Sequence, residues 1–107
     1  MANNYKNVKL DLTATTVTTL YTAPAATQSI FKSLLVSNDS SSASTITITI
    51  TNSAAAVFSV YKLEEIGALS TEELLKSPLI VMENEILKVT ATNANRLHVV
   101  GSYLEIT

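Results

Sequence analysis

His98 is the single histidine of this 107-residue chain, and there is no cysteine. Catalysis built on it would need a nucleophile and an orienting carboxylate brought to the ring. Gly101-Ser102 follows closely, but no nucleophile-elbow pattern surrounds it. Its neighbours Leu97, Val99 and Val100 place His98 within a β-strand, so it reads as a surface or half-buried strand residue. Carboxylates acting alone remain to be considered: Glu64-Glu65, Glu72-Glu73, and Glu83 with Glu85. Each pair has a simpler role, at a strand exit, in a helical first turn that favours negative charge, and in a hairpin turn. Asn38-Asp39 with Ser40, Ser41 and Ser42 could bind calcium weakly, yet the run lacks the carboxylate count and the glycine of a dedicated loop. With two glycines, Gly67 and Gly101, the chain offers no glycine-rich phosphate cradle, and without cysteine no thiolate metal site. There is no tryptophan, and Tyr5, Tyr21, Tyr61 and Tyr103 are scattered, which argues against a sugar-stacking platform. The residues predict no enzyme, no catalytic, cofactor-binding or metal-binding position, and no small-molecule substrate.

The elements that must position these side chains are strands. Residues 45–51 read Thr-Ile-Thr-Ile-Thr-Ile-Thr, a two-residue alternation that a strand sorts onto two faces. Uncharged and free of proline, such a strand is an aggregation hazard on an open edge and is expected to be paired. Further strands are predicted over 8–12, 17–22 (stopped at Ala23-Pro24), 30–36, 56–63, 79–82, 86–92 and 97–106. Segment 30–36 is apolar on both faces and is predicted to be central. Short polar turns separate the strands, and no helices are available for parallel crossovers. The predicted fold is all-β: one domain over residues 1–107, an antiparallel β-sandwich of jelly-roll or Ig-like type with about eight short strands. Its expected core holds Ile46, Ile48 and Ile50 with Leu34, Val36, Phe58, Val60, Val89 and Leu104.

The pattern breaks over residues 64–77. Ser70-Thr-Glu-Glu73 reads as a capping box, with Ser70 as N-cap and Leu74-Leu75 following, and predicts a short helical turn in a crossover loop. Ile66, Leu69, Leu74 and Leu75 supply more apolar groups than a solvated loop needs. Together with Asn38 and Asp39 of the 38–44 loop, they form the candidate interaction surface. The segment reads as a contact arm whose deletion over 68–76 would weaken attachment and leave the sandwich folded.

Charged residues make up 15% of the chain, against about 25% in an ordinary soluble domain. A surface of about 5,800 Å² by size scaling is thus covered by seven basic and nine acidic groups. So neutral a surface predicts burial in a homo-oligomer or lattice. A net charge of −2 with scattered basic residues predicts no nucleic-acid partner. No apolar run approaches the ~18 residues of a membrane span, and the first residues have no signal-peptide core, so synthesis in the cytoplasm is expected.

The order of segments carries a resemblance. Thr18-Thr-Leu-Tyr-Thr-Ala-Pro24, Ile30-Phe-Lys-Ser-Leu-Leu-Val-Ser-Asn38, Thr45-Ile-Thr-Ile-Thr49, Ile86-Leu-Lys-Val-Thr-Ala91 and Val100-Gly-Ser-Tyr-Leu-Glu-Ile106 together resemble small structural proteins of tailed bacteriophages. The likeness spans residues 5 to 107, through β patterns and not catalytic signatures, and departs at 64–77, where a shorter connection is expected. It implies a virion component, made in the host cytoplasm and retained in the particle, with viral capsid or tail proteins as partners. Three roles follow: a capsid decoration (cement) protein, a head–tail connector or tail ring component, and a carbohydrate- or host-surface-binding module.

Overall fold

A computed structural model describes residues 3–107. The Thr/Ile alternation forms the strand it predicts. β4 (Ser44–Thr51) buries Ile46 and Ile48 completely and turns Thr45, Thr47 and Thr49 to the other, half-exposed face. The other elements are β1 (Asn3–Asp11), β2 (Thr18–Thr22), β3 (Gln28–Asn38), β5 (Val57–Ile66), β6 (Thr71–Glu73), β7 (Leu79–Val81), β8 (Ile86–Ala91) and β9 (Leu97–Ile106). Every pairing is antiparallel. A four-stranded sheet runs β2-β8-β4-β5. A five-stranded sheet runs β1-β9-β3, with β6 and β7 sharing the far edge of β3. The two pack as a sandwich around Phe31, Leu34 and Val36 of one sheet and Ile46, Ile48, Leu87 and Val89 of the other, all fully buried. Each such side chain contributes roughly 1.5–3 kcal/mol by leaving water.

Bulges set which residues face this core. In β3 the register shifts between Phe31 and Ser33, so the inward set changes from Ser29 and Phe31 to Leu34, Val36 and Asn38. That shift explains why the segment looks apolar on both faces: Ile30 and Leu35 lie on the outside of the same strand. A second shift, between Thr19 and Tyr21 in β2, lets the consecutive residues Leu20 and Tyr21 both be buried. Gly101 fits beneath the first bulge. A Cβ there would stand 3.0 Å from Phe31 Cε2 and 3.1 Å from Leu34 Cδ2, closer than packed carbons come.

Segment 64–77 is not a helical arm. Thr71–Glu73 adds a short strand to β3, held by Asn38 N–H to Ser70 O (2.8 Å) and Leu74 N–H to Leu34 O (2.9 Å). The Ser70 hydroxyl donates to Gly67 O (2.7 Å) instead of capping a helix. The Glu73 carboxylate accepts the N–H groups of Leu34 (2.8 Å) and Leu75 (3.2 Å) and the Ser33 hydroxyl. A free edge on β3 offers more backbone bonds than one capped turn, and that outweighs the local signal. Deleting 68–76 would therefore remove a strand and part of the core, against the expectation from sequence.

Two expected core residues are displaced. Phe58, at the start of edge strand β5, is 57% exposed, and Leu104 lies on the outer face of β9, whose inward set is Leu97, Val99, Gly101, Tyr103 and Glu105. Ile50 and Val60 are half-buried. The β5 edge is irregular: its pairing with β4 shifts register twice, Leu63 takes a left-handed φ of 53°, and Lys62 adds charge. Such features discourage a neighbouring strand from pairing there.

Candidate interaction face

The outer face of the five-stranded sheet carries the least expected chemistry. Antiparallel register aligns Tyr5 of β1 with Leu104 of β9, Leu104 with Ile30 of β3, and Ile30 with Ile80 of β7. One row of four apolar side chains thus crosses the whole sheet, with Tyr5 76% and Ile80 55% exposed at its ends. Two residue pairs along the strands, a second row runs Lys9, Val100, Leu35, Glu73, apolar in the middle and oppositely charged at its ends. Between them lie Asn7, Ser102 and Ser33, neutral and small. Lys32, at the bulge, reaches across so that its ammonium stands 5.8 Å from the centre of the Tyr5 ring. An outward-facing sheet surface is ordinarily polar, so this apolar strip is a candidate contact site.

At one end of this face sits His98. Its Nδ1 is 2.9 Å from Asp39 Oδ2 and its Nε2 is 3.2 Å from Asp11 Oδ1, so the ring ties the ends of β1 and β3 across β9. Both ring nitrogens face carboxylates, an arrangement that orders three strand ends and leaves neither nitrogen directed at a substrate. Among the described residues, no group of three or more His, Cys, Asp or Glu side chains could hold a metal ion.

At the opposite end, inside the sandwich, four strands share a polar cluster. Tyr21 of β2 donates to Glu105 Oε2 of β9 (2.5 Å) and accepts from the Ser29 hydroxyl of β3 (2.5 Å), while Lys6 of β1 pairs with Glu105 Oε1 (2.8 Å). The Lys6 ammonium and then the Tyr21 hydroxyl hold the Glu105 carboxyl below the usual carboxylate range, against the opposing effect of burial. Burial pushes the Tyr21 and Tyr103 phenols up, and the bond to Glu105 raises Lys6. The cluster closes on a trio of rings, Phe31 stacked on Tyr103 at 4.8 Å and Tyr21 at 4.7 Å from Tyr103. It locks the two sheets together, with the Tyr21 hydroxyl and both Glu105 oxygens paired and the Lys6 side chain half-exposed at the rim.

The six residues singled out from sequence fall in different places. Ile66, Leu74 and Leu75 are buried in the core. Asn38 is also buried. Its amide donates to Ser42 O (2.9 Å) and Ile66 O (3.1 Å) and accepts from Ser40, shaping the 38–44 turn from within. Asp39 is on the surface, paired with His98, and Leu69 is 73% exposed at a left-handed φ of 53°. Asp39 and Leu69 thus remain available to a partner in this structure. The apolar row was missed because its members are spread over four segments, and only the register brings them together. The signal available in sequence was the outward alternation Val100, Leu104, Ile106 beside Ile30 and Leu35.

No protein-family model matches the chain, and no curated protein matches it in sequence. Among solved structures it is similar to a chain from the infectious bursal disease virus Gt strain, with a TM-score of 0.49 and 11% identity. That likeness covers 98% of this chain and 30% of the viral one, so the chain spans under a third of its neighbour's length. A likeness at this level bears on neither family nor function.

Proposed function

We propose that the protein is a non-enzymatic structural component of a tailed-bacteriophage particle, serving as a capsid decoration (cement) protein that binds and stabilises the shell. The observation that carries the reading is the apolar row Tyr5, Leu104, Ile30, Ile80 on an outward sheet face of a charge-poor protein. Such a surface lowers its free energy by being covered, and the segment order resembling phage structural proteins supplies the setting in which it is covered. Apolar contact is little screened by ions, so whatever contact covers this face in the particle persists at high salt. Quantifying the chain against the major shell protein in purified particles tests this. A decoration protein is present at on the order of hundreds of copies, as shell symmetry dictates, and absence from the particle refutes the proposal.

A second reading, a connector or tail ring, is favoured by β1. Its nine residues pair with β9 without a register shift, and it ends its sheet, so its other side is available to a neighbour's strand. A count of six to a few tens of copies per particle would support that arrangement instead.

A further inference from the structure

We propose that the outer face of the five-stranded sheet is a twofold contact between two copies of this chain, packed face to face about an axis lying in the contact plane and parallel to the strands, between β9 and β3. The proposal needs the face to be an assembly contact, as in the reading above, but it does not need the phage particle.

The register of the sheet makes the face self-complementary under that operation, ends included. The rotation keeps each row level and exchanges its two ends. Tyr5 of one copy then lies over Ile80 of the other, and Leu104 lies over Ile30, so the apolar row meets itself along its full width. In the second row Val100 lies over Leu35, and Lys9 at the β1 end comes opposite Glu73 at the β6 end, twice. A central axis running across the strands, along Asn7, Ser102 and Ser33, would also set Leu104 over Val100 and Ile30 over Leu35, but it would cover Tyr5 with Lys9 and Ile80 with Glu73, charge against apolar group at every end. Opposite charges at the rim and apolar groups at the centre are the arrangement a stable contact uses. The Lys32 ammonium, 5.8 Å from the centre of the Tyr5 ring, has to swing off the face into water when Ile80 of the second copy covers that ring.

The size is also adequate. Four strands ~4.8 Å apart and ten residues of ~3.3 Å long make a face of about 600 Å² in projection, and its accessible area is larger. Standard contacts bury roughly 800 Å² per partner. Facing sheets pack with their strands within about 30°, close enough to keep the rows in contact near the axis. Edge pairing through β5 is disfavoured by its two register shifts and Lys62, and pairing through the regular edge of β1 would leave the apolar row uncovered. Sheet-on-sheet packing leaves the four-stranded sheet and the exposed Leu69 free for other partners.

Sedimentation equilibrium of the purified protein and of Tyr5→Lys and Ile80→Asp variants tests the arrangement. Both side chains are largely exposed, and circular dichroism should show that both variants keep the fold. The wild type is expected to be a dimer in the micromolar range, with each variant weakened on the order of a hundredfold. An equimolar mixture of the two variants should regain dimer, since the rotation sets position 5 of one copy against position 80 of the other. A monomeric wild type, a dimer indifferent to both substitutions, or a mixture of folded variants that stays monomeric would overturn the proposal. A dimer that never copurifies with particles would refute the particle role and leave this contact standing.

Discussion

Tyr21 and Glu105 stand on different sheets of the sandwich and meet at 2.5 Å, phenol donating to carboxylate, through the only bulge in β2. The bulge turns Tyr21 inward, and Ser29 and Lys6 satisfy the atoms the pair leaves over. The contact gives stability a defined pH window. Glu105 is lowered in the folded chain, so its contribution is present above its unfolded value near 4.5 and is lost as pH falls through the lower folded value. Tyr21 and Lys6 are raised, so theirs is present below 10.0 and 10.5 respectively and is lost as pH rises through the higher folded values. Glu105→Gln should flatten the acid limb of a stability–pH curve. Tyr21→Phe should cost about 1–3 kcal/mol at neutral pH by stranding its partners. Urea melts across pH check both. An unchanged acid limb in the Gln variant would show that the pair does not link the sheets energetically.

Leu74 tests whether segment 64–77 is core. Its side chain is buried, and its backbone is bonded to Leu34. Leu74→Ala should destabilise by about 2–5 kcal/mol, comparable to Ile48→Ala in the centre of β4. Denaturant melts that move by less than ~1 kcal/mol would return the segment to the status of a surface arm.

Thr51 carries the one buried side-chain oxygen among the described residues that has no hydrogen-bond partner. Thr51→Val keeps the β-branched shape and removes an unsatisfied hydroxyl. Thermal melts should show no loss of stability and a gain of up to about 1–3 kcal/mol. A clear loss would mean that the hydroxyl is satisfied after all.

Gly101 is needed for space and not for backbone freedom. Added to it, a methyl group would press on Phe31, Leu34 and Val8 at 3.0 to 3.2 Å. Gly101→Ala should cost about 1–3 kcal/mol, read from denaturant melts, and the larger Gly101→Val should cost more. Equal stability for both would show that the bulged β3 can move away.

Legibility followed the range of the interaction. The Thr/Ile strand, the short polar turns and the all-β class depend on alternation within a few residues, and these were readable. So was the burial of Leu34, Val36 and Val89. Bulges were not readable, because Lys32 and Leu20 look like ordinary strand residues until a partner strand fixes the register. For the same reason alternation alone points Leu104 inward and does not reveal the apolar row. Ser70-Thr-Glu-Glu73 shows the opposite failure, a correct local motif overruled by a strand edge 34 to 40 residues away in the chain.

The central claim is that the outer face of the five-stranded sheet is covered in the assembled state. A reconstruction of an assembled particle that carries the chain, at a resolution that traces strands, tests it most directly. The account predicts density for the sandwich on the shell with Tyr5, Leu104, Ile30 and Ile80 buried against a second copy. An assembly in which that row faces open solvent would contradict it.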